Sequence, residues 1–206
     1  MTRRSLASVA LLALTLLPLR PAQAAMDVTP FIGAMIPAKT QFMDGSGASY
    51  LRTETHTVYG LTLGSSLSEK LGVEVVLGTG TGKLELVGGT QIELASTVFF
   101  ADLRGRLRLL GSSQSSLSGV VGVGYTDFAV GIFDLADETD QGTFIGRATG
   151  VVGAEVQSNL SERVRLNVTM VDRIHASGMG LNVFGGEPIR KTQNNITVTA
   201  GLTIGM

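Results

Sequence analysis

The chain has 206 residues, with 27 glycines, no cysteine, and 16 basic against 17 acidic residues. The missing cysteine excludes a disulfide framework, a thiolate metal site and a lipoprotein anchor. The charge balance argues against a nucleic-acid partner, and after residue 24 no apolar run approaches the length of a membrane-spanning helix.

Residues 1–24 read as a secretory signal peptide: Arg3 and Arg4 lead, an apolar run covers 6–17, and Ala22-Gln23-Ala24 supplies a small-x-small cleavage site. The run is too short to cross a bilayer as a helix. Cleavage leaves 25–206 as one domain and removes Arg3, Arg4 and Arg20, so 13 basic residues face 17 acidic ones, a net charge of about −4. An exported chain with positive mean hydropathy and no membrane helix is either a filled soluble β-domain or a membrane β-barrel. The pattern along the chain separates the two.

The first strand is expected over 28–37, bounded by Pro30 and Pro37, and a polar connection with the turn former Asp44-Gly45-Ser46-Gly47 over 38–54. Residues 55–65 alternate, with Thr57, Tyr59, Leu61 and Leu63 on one face and His56, Val58, Gly60, Thr62 and Gly64 on the other. A short turn follows. Leu67-Ser68-Glu69-Lys70-Leu71 recurs as Leu160-Ser161-Glu162-Arg163-Val164, which predicts two equivalent hairpin turns at one end of the molecule. A third strand starts at Leu71 with Glu74 on its less apolar face, and the Gly/Thr-rich stretch 78–91 reads as a connection, with 84–87 as a possible strand extension.

The longest alternating run is 92–109. Ala101, Leu103, Leu107 and Leu109 share one face, and Asp102, Arg104, Arg106 and Arg108 the other. Strands are expected at 118–126, 144–156, 164–175 and 194–206, the last alternating Ile196, Val198, Ala200, Leu202 and Ile204 with threonine and glycine. This closing strand is expected to pair with the first and so remove both free edges. Eight strands result, whose connections alternate between long (38–54, 78–91, 127–142, 176–192) and short (66–70, 110–117, 157–163). That parity is the signature of an antiparallel up-and-down transmembrane barrel with long outer loops and short inner turns.

With the apolar faces toward lipid, the interior receives Glu74, Asp102, Arg104, Arg106, Arg147, Glu155 and Arg165 as a polar network. Eight strands enclose a space that side chains fill, so these charges must pair. Glu74, Asp102 and Glu155 are the expected carboxylate partners; Arg106, Arg108 and Arg173 are expected near the rims.

Thr29-Pro30-Phe31-Ile32-Gly33, the turn Leu67-Ser68-Glu69-Lys70-Leu71-Gly72-Val73, the Gly-rich strand 119–126 and the closing Ala200-Gly201-Leu202-Thr203-Ile204 resemble the small eight-stranded outer-membrane β-barrels that include the OmpA-type membrane domain. The resemblance covers nearly all of 25–206. It implies a non-enzymatic protein of the bacterial outer membrane, in contact with lipid and lipopolysaccharide and inserted by the outer-membrane assembly machinery, with a structural or surface-interaction role; the sequence leaves the oligomeric state open, a monomer being the expectation. The family usually ends in an aromatic residue; Met206 stands there.

Other motifs give narrower alternatives. A charge-lined interior allows a narrow small-solute channel, and the alternating faces also allow a soluble periplasmic barrel. His175-Ala176-Ser177 with Glu187 resembles the His-x-Ser motif of the outer-membrane lipid A deacylases, which implies an esterase with a serine, a histidine base and a carboxylate orienter; Gly178 stands where that family has asparagine. His56 has no partner at ligand spacing and reads as a rim residue, the acidic stretch Asp134, Asp137, Glu138, Asp140 lacks calcium-loop spacing, and Gly78 to Lys83 does not fit a phosphate loop. No metal or cofactor is expected.

Overall fold

The structure, a computed structural model, describes residues 26–37, 40–44, 47–87, 92–112, 114–130, 143–176, 187–188 and 192–205. The expected leader over 1–24, the acidic stretch from Asp134 to Asp140, Ser177 and Met206 lie outside the described residues. Eleven strands are described: β1 (Met26–Pro37), β2 (Thr40–Asp44), β3 (Gly47–Thr53), β4 (His56–Ser66), β5 (Leu71–Val87), β6 (Ile92–Gly111), β7 (Ser115–Val130), β8 (Thr143–Asn159), β9 (Val164–Ala176), β10 (Glu187–Pro188) and β11 (Thr192–Gly205).

Eight of them close a barrel. The antiparallel order β5-β4-β1-β11-β9-β8-β7-β6 returns on itself through the β5–β6 pairing. β1 meets β11 from Asp27↔Gly205 to Pro37↔Asn195, and its other edge meets β4 from Met26↔Ser65 to Met35↔His56. Each barrel strand is therefore paired on both sides along most of its length, although the start of β8, Thr143 to Ala148, pairs on one side alone among the described residues; closure of this kind keeps β-proteins from pairing with one another.

Alternation sets the two faces. On β6 Phe99, Leu103, Leu107 and Leu109 are exposed, while Ser96, Val98, Phe100, Asp102 and Arg104 are buried. The same inversion runs round the barrel: Val121, Val123, Val152, Val156, Met170, Val198 and Leu202 face out. Tyr59, Phe99 and Tyr125 lie on the outer face toward the long connections, a one-sided aromatic group. Apolar outside and charged inside is the arrangement of a barrel in lipid, the reverse of a water-soluble one.

Three expectations are corrected. The glycine-rich stretch after Gly78 is strand: β5 pairs with β6 as far as Leu86↔Ile92. Its glycines face inward and receive neighbouring side chains. The Phe100 ring lies over Gly78, Val58 Cγ1 would stand 2.7 Å from a Cβ at Gly80, and the His56 ring 2.8 Å from one at Gly82. Here glycine marks close approach within a strand and makes no turn. The polar connection 38–54 contains the β2–β3 hairpin; β3 takes over the β5 edge where β4 ends, from Tyr50↔Val87 to Thr53↔Leu84, and β10 pairs with β2. Finally, His56 is fully buried inside the barrel, bonded to Ser96 Oγ at 3.1 Å and the Glu54 carbonyl at 3.0 Å.

Candidate functional site

The strongest concentration of chemistry is the barrel's polar core, and β6 builds most of it. Asp102, Arg104, Arg106 and Arg108 alternate with leucine and glycine, so all four point inward. Glu74 from β5, Glu155 from β8 and Arg173 from β9 complete two clusters of opposite design.

In the first, one carboxylate serves two cations. Asp102 Oδ2 accepts from Arg104 Nη2 at 2.5 Å and Nε at 3.2 Å, and from Arg173 Nη2 at 2.8 Å. Arg173 also donates to Thr197 Oγ1 at 2.5 Å and stacks over the Phe100 ring, 4.1 Å from its centroid. In the second, one cation serves two carboxylates: Arg106 Nη1 lies 2.9 Å from Glu155 Oε1 and 3.3 Å from Glu74 Oε1. With all groups ionised the first cluster carries +1 and the second −1. They are adjacent along β6, so the pair compensates locally, which lowers the cost of taking six charges out of water.

The expected interior residues are placed as follows. Glu74, Asp102, Arg104, Arg106 and Glu155 meet in these clusters. Arg165 faces inward at the short-turn end and pairs with Asp27 at 2.5 Å. Arg147 faces inward near the long connections, two residues before Thr149, outside both clusters. Two rim expectations are corrected: Arg173 is fully buried and the Arg106 side chain is only 13% exposed, since each sits opposite a carboxylate from another strand of the barrel. Asp27 was not anticipated, because the first strand starts at Met26, two residues earlier than the prolines delimit it.

Of the esterase set, only His175 has a described side chain. It is buried, with Nδ1 3.2 Å from Thr149 Oγ1 and Nε2 2.6 Å from Asn195 Nδ2. Glu187 belongs to β10. His175 and His56 both pack edge-on against Phe128, at 6.3 and 6.4 Å between ring centroids. Among the described residues no three metal-ligating side chains converge.

Between the clusters the barrel is closed. The cavity at mid-height, bounded by Thr29, Glu74, Phe100, Arg104, Glu155 and Arg173, has a volume of about 20 Å3, room for about one water molecule. Phe31 and Phe100 stack across it at 6.4 Å.

No protein-family model matches the chain, and no curated protein does. Solved structures do. The outer membrane protein OprG from Pseudomonas aeruginosa superposes with a TM-score of 0.65 at 14% identity, over 89% of this chain and 96% of that one. Neisserial surface protein A gives 0.56 at 8% identity, over 89% and 100%. The outer membrane protease OmpT from Escherichia coli gives 0.51 at 9%, over 91% and 99%. At such identities the likeness establishes the architecture, a closed outer-membrane-type β-barrel. Because a protease shares it, architecture alone assigns no activity.

Proposed function

We propose that this chain is an integral protein of the bacterial outer membrane with a structural or surface-interaction role, in which a sealed, ion-paired core holds a rigid scaffold for the long connections. The observation that carries this reading is the coincidence of two features in one barrel. All eight barrel strands turn apolar side chains outward, and the six charges of the two mid-height clusters cancel around a cavity of about 20 Å3. The outward band meets lipid and lipopolysaccharide, and insertion falls to the outer-membrane assembly machinery. The chain acts as a monomer, its sheet being complete without a second copy.

A solute channel needs a continuous lumen, and the stacked Phe31 and Phe100 with the Arg173–Asp102–Arg104 cluster across the middle favour a plug instead. The engagement of both His175 nitrogens favours a structural over a catalytic histidine. Two measurements test the proposal together: unboiled protein from outer-membrane fractions should migrate differently from boiled protein, and the folded barrel in planar bilayers should give no stepwise current. Recovery in the soluble periplasmic fraction would contradict the first part, and discrete conductance steps the second.

A further inference from the structure

The barrel interior opens at the short-turn end into a cup of about 240 Å3. Arg108 and Arg165 stand in its wall with Ser112, Ser115, Ser116, Gln157 and Asn159, and among the described residues neither a carboxylate nor an apolar side chain lines it. The two guanidiniums differ in how far they are committed. Arg165 is held by Asp27 at 2.5 Å. Among the described residues Arg108 bonds to the Ser112 carbonyl alone, 2.7 Å from Nη2, so most of its planar donor fork is unused.

Gln157 adds a second polar group free to take part in binding. Its side chain belongs to a residue only 8% exposed, borders the cup, and makes no hydrogen bond to any described residue. Its amide is open to the solvent that fills the cup, with two donors and an acceptor free for a ligand. An uncommitted guanidinium fork, an amide, a serine hydroxyl and a second guanidinium form a donor-rich concavity suited to a tetrahedral oxyanion. The polar lining does not suit an acyl chain or an apolar peptide.

We propose that this cup binds a phosphate-class oxyanion, with Arg108 as the principal ligand, Gln157 and the Ser116 hydroxyl as orienting donors, and Arg165, held by Asp27, offering its remaining guanidinium N–H groups from the wall. The anion is either free inorganic phosphate or the phosphomonoester of a larger molecule. The site is separate from the two ion-pair clusters and independent of whether the barrel conducts.

Calorimetric titration of the full folded barrel in dodecyl maltoside tests it, with inorganic phosphate, glycerol phosphate and chloride compared at matched ionic strength. Saturable binding of phosphate at one site is expected, with none for chloride. Arg108→Gln should weaken it about ten-fold or more, and Gln157→Leu should weaken it less, both variants keeping the mobility shift of the folded barrel. Glycerol phosphate binding at least as tightly as phosphate would identify a phosphomonoester as the source, and weaker binding the free ion. If Arg108→Gln does not fold, Arg108→Lys keeps the charge and loses the fork, and a reduced affinity is again expected. Phosphate behaving like chloride, or a folded Arg108 variant binding as tightly as the parent, overturns the proposal.

Discussion

Asp102 holds two guanidiniums through a single oxygen, and its side chain is wholly buried beside a nearly buried Arg104 and Arg173. Removing its charge strands both cations. Breaking a buried pair from one side costs about 3–5 kcal/mol, so Asp102→Asn should lose that much stability in urea titrations of the refolded barrel. Arg104→Gln leaves Asp102 paired with Arg173 and should lose less; equal stability of Asp102→Asn and parent would show that the cluster does not hold the core. Alternation along β6 made the inward direction of these residues legible in the sequence. Their heights were not legible, because tilted strands displace partners along the barrel axis, and depth depends on register that no single strand encodes. Arg173 therefore read as a rim residue although it lies opposite Asp102.

The short turns at the strand level share one device. Ser68 Oγ accepts from the backbone N–H groups of Lys70 and Leu71 at 3.3 and 3.1 Å, and Ser161 Oγ from those of Arg163 and Val164 at 3.4 and 3.1 Å. Backbone bonds match as well: Leu67 N donates to Leu71 O, and Leu160 N to Val164 O, both at 2.9 Å. Ser112 does the same for Gln114 and Ser115 in the remaining short turn, at 3.1 and 3.3 Å. The serine offers the turning backbone acceptors that the ladder cannot supply. Ser68→Ala and Ser161→Ala should each cost about 0.5–1.5 kcal/mol, measured by the same titration, with additive effects because the turns are separate. No loss in the double variant would contradict this account. The recurrence of Leu-Ser-Glu-Lys/Arg showed these two turns in the sequence alone. The glycines of β5 misled for a physical reason: a glycine that makes room for Phe100 or His56 has the same composition signal as one that makes a turn.

Across the whole molecule, closure was legible because the eight alternating runs and the parity of their connections leave few topologies open. The β2–β3 hairpin beyond the barrel was not, since its pairing with β5 rests on long-range register. The outward band assigns a cost to each position. Leu103 lies near the middle of the outer face and is 42% exposed; in lipid an arginine there should cost about 2–4 kcal/mol, whereas on a water-soluble surface Leu103→Arg would be near neutral. Urea unfolding from vesicles distinguishes these outcomes. The polar cores described above would be unaffected, because Leu103 turns away from them.

The absence of cysteine makes one measurement particularly direct. Single-cysteine variants along β6 at Phe99, Ala101, Leu103, Leu107 and Leu109, reconstituted in vesicles and spin-labelled, report whether each site meets lipid or water. Collisions with lipid-soluble oxygen should be high and with a water-soluble nickel chelate low at Ala101 and Leu103, and the chelate should gain access at Leu109, nearest the short turn. Ready access of the chelate to Ala101 and Leu103 would contradict a lipid-facing barrel.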